Sequence, residues 1–289
     1  MQLAVNIVVL ASVYALIACG YVLIYRVSRV LNLAHGELMM LCAYLVLTTA
    51  SLFSNSPAMA LGAAVLLSLV VGALVYVFLM HKMTGERVLA AILTTVALGI
   101  LVRGLVVLIW SAQQQYPAQA LAIANPSLPI FGARISLWSA VLVFTTVATY
   151  VALFGFLRLG RWGMRMRAAG QNALLAAQRG INLHAIYALA WSLSTLTGAL
   201  AGILMALDSG ITTSMPVIAL KAFPAALVGG LDSLAGAVAG ALIVAASEVL
   251  LIYYIDPLLS DVVPFVVLIA MLIVRPWGLF GTREELDRV

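Results

Sequence analysis

Long apolar runs separated by short polar clusters extend over most of the chain. Eight of these runs are typical of membrane-spanning helices, for which about 20 apolar residues are needed. They lie at residues 4–24, 31–51, 58–80, 88–110, 136–157, 183–207, 234–254 and 262–274. The pattern therefore predicts an all-α, polytopic bundle of transmembrane helices that forms a single domain over residues 1–289.

A ninth run, residues 210–231, is long enough to cross a membrane but contains residues that interrupt helices. They are Pro216, Lys221, Pro224, Gly229 and Gly230. Irregular backbone at membrane depth is stable only where protein covers it or where it lines a cavity, and broken helices often line transport paths. We therefore predict a broken span in a translocation pathway. The alternative is that the two prolines only fit a crowded bundle.

Basic residues are distributed unevenly between the loops, and loops rich in Lys and Arg stay in the cytoplasm. Twelve of the fifteen follow predicted spans one, three and five or lie in the tail, residues 275–289, whereas the opposite loops hold only Arg134 and Lys221. The N-terminus is thus predicted outside and the C-terminus inside. Residues 208 and 255 then both lie outside, so an even number of crossings must separate them. The run 234–254 is one crossing, so the run 210–231 must be the other. The predicted number of spans is therefore nine.

Composition supports a membrane protein, since 65% of the residues are hydrophobic, 9% are charged and the mean hydropathy is +1.16. A soluble domain has about 25% charged residues, and a soluble core of this length could not bury so much apolar surface. A large soluble catalytic domain is therefore excluded. The basic residues follow the spans, which indicates contact with membrane lipid and gives no indication of nucleic-acid binding.

Arg103 and Glu248 are the charges that lie clearly inside predicted unbroken spans. Arg103 and Glu248 are each about 10 Å from the predicted outer boundary at about 1.5 Å per residue. Buried charges in membranes are usually paired and face the bundle, so we predict an Arg103–Glu248 pair. The alternative is that Arg103 extends alone to the outer interface.

Small residues recur at intervals of about four in the runs 183–207 and 234–254. They are Ser194, Gly198, Gly202, Gly236 and Gly240. This spacing lets helix backbones approach closely in lipid. It favours tight packing inside the bundle over a dimer contact.

The longest predicted inside loop, residues 158–182, combines arginines with a short capped helix. Asn172 is a favourable N-cap and Gly180 a favourable residue just past a helix end, which predicts about two helical turns between them. A helix this short is unstable alone in water and needs a partner or its own bundle. One interpretation is a coupling helix that docks on an ATPase. Binding of anionic lipid would explain the arginines but not the capped insert.

The sequence lacks the usual motifs of an enzyme. It has no P-loop, its three histidines, at 35, 81 and 184, are dispersed, and no metal cluster, nucleophile triad or paired-carboxylate site stands out. We therefore expect a non-catalytic protein without metal or cofactor. The energy for any active transport must then come from another protein, or the chain forms a passive pore.

Four segments carry a family resemblance. They are LNLAHGELMMLCAY at 31–44, MRAAGQN at 166–172, KAFPAALVGGLDS at 221–233 and RPWGLFG at 275–281. These segments resemble the LivH-type permeases of branched-chain amino acid ABC transporters, and the match runs over nearly the whole chain. Cys42 and Asp232 depart from the commoner small residue and glycine of that pattern.

The resemblance implies one of two membrane subunits of a bacterial inner-membrane importer. Its partners would be a second, related permease, two cytoplasmic ATPases that use the ATP, and a periplasmic solute-binding protein. It implies ATPase contacts at Arg161, Arg165, Arg167, Gln171, Asn172, Arg179 and Gly180. It also implies a gate or pathway element at Asn32, His35, Gly36 and Glu37.

The cargo implied by the resemblance is a branched-chain or other hydrophobic amino acid. Urea, short amides and aromatic acids are alternatives within the same importer class, because the external binding protein largely sets selectivity. A passive channel or a secondary carrier is the alternative from a different class.

Overall fold

Seven helices are long and apolar enough to cross a membrane in the computed structural model, which describes residues 1–53, 56–130 and 132–281. They are α1 (Gln2–Ser28), α2 (His35–Leu52), α3 (Pro57–Met83), α4 (Val88–Trp110), α6 (Leu137–Leu159), α9 (Leu183–Ser209) and α11 (Leu234–Tyr254). Two apolar helices are shorter, α10 (Met215–Gly229) and α12 (Val263–Val274). The predicted polytopic helical bundle is confirmed.

The remaining elements are short. They are α5 (Pro117–Ala120), β1 (Ser127–Ile130), β2 (Ala133–Ser136), α7 (Arg161–Gln171), α8 (Ala173–Gln178) and a 3-10 helix at Pro257–Asp261. The antiparallel pair of β1 and β2 was not predicted. The span predicted at 262–274 is only a 12-residue helix, about 18 Å at 1.5 Å per residue, so the nine crossings and the orientation remain predictions.

Two layers of helices differ in burial. α1, α2 and α9 bury more than half of their apolar windows, whereas α3, α4 and α6 each bury less than a third. α1 packs on α9, α10 and α11, while α4 packs chiefly on α2. The inner helices therefore form the core, and the outer helices present apolar side chains to lipid or to other proteins.

The predicted small-residue contacts lie inside the bundle. A Cβ on Gly202 would lie 2.8 Å from Cγ of Met39 on α2, and one on Gly198 would lie 3.1 Å from His35. On α11, a Cβ on Gly236 would overlap the backbone of Gly229, and one on Gly240 would overlap the carbonyl of Ala225. Close packing of α9 on α2 and of α11 on α10 therefore depends on these glycines.

The segment after α12 is docked on the turn between α10 and α11. The backbone N–H groups of Leu279 and Phe280 donate to the carbonyls of Val228 and Gly229, at 2.9 and 3.0 Å. Gly230 has a φ of 102° and lies directly against Gly281, which only a glycine tolerates. The predicted tail is thus held by the bundle up to residue 281, and its remainder, 282–289, lies outside the described residues.

Candidate functional site

The first turns of α2 and α10 meet inside the bundle. A Cβ on Gly36 would lie 2.9 Å from the Cβ of Ala219 and 3.1 Å from Cα of Pro216, so glycine is required for this approach. Helix N-termini carry unpaired N–H groups and partial positive charge. We call this contact the α2–α10 junction; it unites Gly36 and Pro216, two of the predicted pathway residues.

The junction lies deep in the bundle. Gly198 contacts His35 and is 15 residues from the start of the 27-residue helix α9, about 22 Å at 1.5 Å per residue. α2 therefore begins beside the middle of α9. The span predicted to start at residue 31 starts instead at His35, because the preceding segment, 29–34, enters the bundle without helical structure.

Side-chain oxygens accept hydrogen bonds from two backbone N–H groups of that irregular segment. Asn32 is buried, and its Oδ1 accepts a hydrogen bond from the N–H of Ala34 at 3.1 Å. The N–H of Leu33 donates to Thr95 Oγ1 on α4, also at 3.1 Å. Buried irregular backbone is stable only with such partners. Asn32 therefore shapes the start of α2.

His35 fixes α2 between α1 and α9. Its side chain is buried against Gly20 on one helix and Gly198 on the other. Its Nδ1 lies 3.4 Å from Ser194 Oγ, and its ring centroid is 4.7 Å from that of Tyr21. This environment indicates a packing role for His35 at the junction.

Glu37 and Arg103 flank the junction. A Cβ on Gly99 would lie 3.2 Å from the carboxyl carbon of Glu37, which places that carboxylate against α4. Arg103, also on α4, donates through Nη2 to the carbonyl of Thr213 at 3.2 Å. Arg103 thus ties α4 to the irregular segment that precedes α10.

The predicted Arg103–Glu248 pair is wrong. Glu248 Oε1 accepts a hydrogen bond from Lys221 Nζ at 2.7 Å, and its Oε2 accepts one from the hydroxyl of Tyr14 at 2.5 Å. The helix of Arg103 packs on α2, whereas that of Glu248 packs on α1 and α10. The prediction failed because Lys221 was counted with a loop, although it lies within α10.

Lys221 also reaches the 3-10 helix before α12. Its Nζ lies 2.9 Å from Asp261 Oδ1, and this hydrogen bond holds the pKa of the Asp261 carboxyl below its usual range. Tyr14, Lys221, Glu248 and Asp261 thereby join α1, α10 and α11 to that segment. We call these four residues the charge cluster.

The short span 210–231 is interrupted at its ends. Pro216 is in the first turn of α10, where a missing N–H costs little. Pro224 is buried inside α10, which continues through it to Gly229. The predicted break therefore lies before Met215 and after Gly229, and not at Pro224.

A salt bridge links the ends of two helices near that second interruption. Arg29 Nη1 lies 2.7 Å from Asp232 Oδ1, in the turn between α10 and α11. Asp232, a departure from the family pattern, thus has a partner that the sequence did not reveal. The other departure, Cys42, is buried in α2, and nothing in the structure explains it.

The predicted capped helix in the loop 158–182 is confirmed as α8. Asn172 Oδ1 accepts from the N–H of Leu175 at 2.9 Å, and Gly180 follows the helix with a φ of 79°. Asn182 then caps α9 by accepting from Ala185 N–H at 3.1 Å. α7, which precedes α8, was not predicted.

One face of α7 and α8 is exposed, and we call it the docking face. It consists of Arg161, Trp162, Met164, Arg165, Leu174, Leu175 and Arg179. The sequence analysis did not predict the four apolar members, which are Trp162, Met164, Leu174 and Leu175. The arginines between them interrupt the apolar pattern of this loop. Gln171, Asn172 and Gly180 are also exposed.

Arg167 differs from the other predicted contact residues. It is only partly exposed, and its Nη1 donates to the carbonyl of Leu157 at the end of α6. Arg167 therefore anchors α7 to the bundle. Among the described residues, no group of three His, Cys, Asp or Glu side chains is placed to hold a metal ion.

Residues 3–272 match the family described as branched-chain amino acid transport system / permease component. The high-affinity branched-chain amino acid transport system permease protein LivH of Salmonella typhimurium is 30% identical to the whole chain, over 97% of its own length. BraD of Pseudomonas aeruginosa, a permease protein of the same description, is 28% identical to the whole chain, over 98% of its own length.

A solved structure, PsaBC from Streptococcus pneumoniae in complex with Fab, has a similar fold. The TM-score is 0.51 at 12% sequence identity, over 95% of this chain and 91% of that one. At this identity the similarity concerns the fold alone.

Proposed function

The chain belongs to the family of branched-chain amino acid transport permeases, and from this premise we propose that it is a membrane subunit of an ATP-driven importer. Its cargo is a branched-chain or other hydrophobic amino acid. It works in the bacterial inner membrane with a second, related permease, two cytoplasmic ATPases and a periplasmic solute-binding protein. The ATPases use the ATP, and this chain itself needs no cofactor.

The observation that carries this proposal is the α2–α10 junction. Two helices begin deep in the bundle, at His35 and Met215, and their first turns touch. Discontinuous helices of this kind form substrate sites and gates in transporters, where neighbouring protein satisfies the interrupted backbone. The junction is therefore our candidate for the element that alternates between outward and inward access.

The docking face is our candidate for the ATPase contact. α7 lies against the ends of two helices: a Cβ on Gly170 would overlap the carbonyl of Arg26 in α1, and one on Gly163 would overlap Leu157 in α6. A push on α7 and α8 is thus transmitted directly to α1, which packs on α10. Closure of the ATPases upon ATP binding would reach the junction by this route.

The test of this contact is the double substitution Arg165→Glu and Arg179→Glu. Both side chains are exposed, so the bundle should fold while the ATPases no longer copurify and uptake stops. Lys82→Glu with Arg87→Glu is the matched control, since it makes the same charge change on exposed residues where α3 ends and α4 begins. Normal copurification and uptake in the first variant would remove the docking assignment.

The transport class is tested in proteoliposomes that contain the purified complex. We expect uptake of radiolabelled L-leucine only when ATP and both ATPases are present with the solute-binding protein. Equal uptake by vesicles that lack the ATPases would show a passive channel or secondary carrier instead. Titration of the binding protein with L-leucine, urea, short amides and aromatic acids by calorimetry identifies the cargo.

A further inference from the structure

A cavity of about 440 Å³ opens at the end of the bundle opposite the docking face. It lies between the first half of α1, strand β2, the start of α6 and the end of α9. Small-molecule sites in proteins have volumes of about 300–1,000 Å³. We call it the α1–α9 cavity, and it is separate from the α2–α10 junction.

The wall of this cavity is apolar except for a polar rim. Val9, Val13, Leu142 and Leu204 line it, and each belongs to a transmembrane helix. Burial of an aliphatic group against such a wall is favourable by about 25 cal/mol per Å² of apolar surface. The wall therefore fits a short aliphatic chain.

The rim carries one acid whose charge is not balanced by a cation. Asp208 lies in the last turn of α9, and its carboxylate accepts hydrogen bonds from Asn125 Nδ2, Ser136 Oγ and Ser139 Oγ, at 2.9, 2.5 and 3.1 Å. All three donors are neutral, and within the described chain no cation forms an ion pair with Asp208. The carboxylate is thus held in position by neutral donors alone.

The rim also carries one base. Arg134 is placed by its backbone, because its N–H donates to Gln2 Oε1 at 2.9 Å and its carbonyl accepts from Gln2 Nε2 at 3.0 Å. Over residues 1–53, 56–130 and 132–281, the guanidinium has neither a hydrogen bond nor an ion pair. It lines the cavity and is free to bind an anion from solution.

This combination matches one ligand chemistry. A fixed carboxylate binds an ammonium group, a free guanidinium binds a carboxylate in bidentate fashion, and the wall takes an aliphatic tail. We propose that the α1–α9 cavity binds a free apolar α-amino acid as its zwitterion, with its ammonium on Asp208 and its carboxylate on Arg134. The proposal stands on the chemistry of the cavity and does not require the chain to be an importer.

A phospholipid with a zwitterionic headgroup shares the two charges. Its two acyl chains, however, do not fit within a cavity of about 440 Å³ and would extend out of it into the bilayer. The free amino acid satisfies both charges and the wall within the cavity itself. It is therefore the ligand to which we commit, and lipid becomes an outcome of the test.

The test is calorimetric titration of the permease–ATPase complex in phosphatidylcholine nanodiscs with L-leucine, without the solute-binding protein. Arg134→Gln and Asp208→Asn should each weaken the affinity about tenfold or more, as expected for loss of one charged hydrogen-bond partner. Arg87→Gln, at the opposite end of the bundle, is the matched control and should bind like the parent protein. 4-Methylpentanoate and 3-methylbutylamine, which each lack one charge, should bind as weakly as the variants.

Equal L-leucine affinity in the parent, Arg134→Gln and Asp208→Asn proteins would overturn the site. Loss of the L-leucine signal when phosphatidylethanolamine replaces phosphatidylcholine would also overturn the site. That result would show that a lipid headgroup occupies the cavity instead of the amino acid. Arg134→Gln keeps the test decisive even if Asp208→Asn unfolds, because its side chain makes no polar contact in the described chain. If the variants bind L-leucine like the parent protein but the complex still shows ATP-driven uptake, the cavity proposal fails and the proposed function stands.

Discussion

At the scale of single residues, the charge cluster is the feature with the largest expected energetic consequence. Glu248 is 3% exposed, and its two oxygens bind Lys221 and Tyr14. Loss of one partner from a buried pair costs about 3–5 kcal/mol, because the other charge is left uncompensated. If Glu248 is removed, Lys221 still has Asp261 as a partner. If Lys221 is removed, the buried Glu248 carboxylate loses its cation. Substitution of Lys221 should therefore destabilise the protein more than substitution of Glu248.

A double-mutant cycle tests this assignment. Lys221→Met and Glu248→Gln should be coupled by about 0.5–3 kcal/mol in the free energy of unfolding, since residues in contact are not additive. Arg103→Met and Glu248→Gln provide the matched cycle and should be additive within about 0.5 kcal/mol. Unfolding in detergent, followed by circular dichroism, measures both cycles.

The reverse pattern, with coupling between Arg103 and Glu248 and none between Lys221 and Glu248, would contradict the structure. The sequence correctly indicated that Glu248 needs a buried partner, because that follows from residue type and depth alone. It could not indicate which partner, because spacing along the chain does not tell which helices are neighbours. Lys221 was overlooked because it was counted with a loop, although it lies within α10.

At the scale of elements, glycines decide how closely the helices approach. Gly240 lies against the backbone of Ala225, whereas Gly155 on α6 has nothing within 4 Å of its Cβ position. Gly240→Ala should destabilise the protein by about 1–3 kcal/mol through overpacking. Gly155→Ala should be neutral or stabilise it by up to about 1 kcal/mol through helix propensity.

Thermal unfolding of the two alanine variants in the same detergent makes the comparison. Equal midpoints would show that α11 does not depend on Gly240 for its contact with α10. The substitutions are chemically identical and both lie inside helices. The difference between them therefore isolates the effect of helix contact.

The elements also show which parts of the fold could be predicted from sequence. The long spans were predicted well, because length and apolar composition are local properties of the chain. The start of α2 was placed four residues early, because the irregular segment 31–34 is as apolar as a helix. α7 was missed, because its burial against α1 and α6 is a tertiary property. The caps at Asn172 and Gly180 were predictable, since caps act within a few residues.

At the scale of the whole molecule, the α2–α10 junction, the docking face and the α1–α9 cavity occupy three different levels of the bundle. The docking face lies at the end where α9 begins, the junction beside its middle, and the cavity where it ends. α1 packs against α7, α9, α10 and α11 and so connects all three levels. This arrangement fits the proposed function, in which the ATPases act on the docking face and the α2–α10 junction controls access to the pathway.

Access to the α2–α10 junction during the ATP cycle can be measured by cysteine labelling. Thr213 accepts the Arg103 hydrogen bond just before α10 and is partly exposed. In a protein with Cys19→Ala and Cys42→Ala, a Thr213→Cys substitution is labelled with a membrane-impermeant maleimide on the complete complex. Gln113→Cys, in the exposed segment after α4, is the control and should react equally in all states.

The measurement compares the labelling rate at position 213 without nucleotide and with the ATPases trapped in the ATP-bound state. We predict that the rate changes by about tenfold or more between the two states, as for a switch between two access conformations. Equal rates at position 213 in a complex that still imports L-leucine would contradict it. In that case transport would proceed by a path that does not pass the α2–α10 junction.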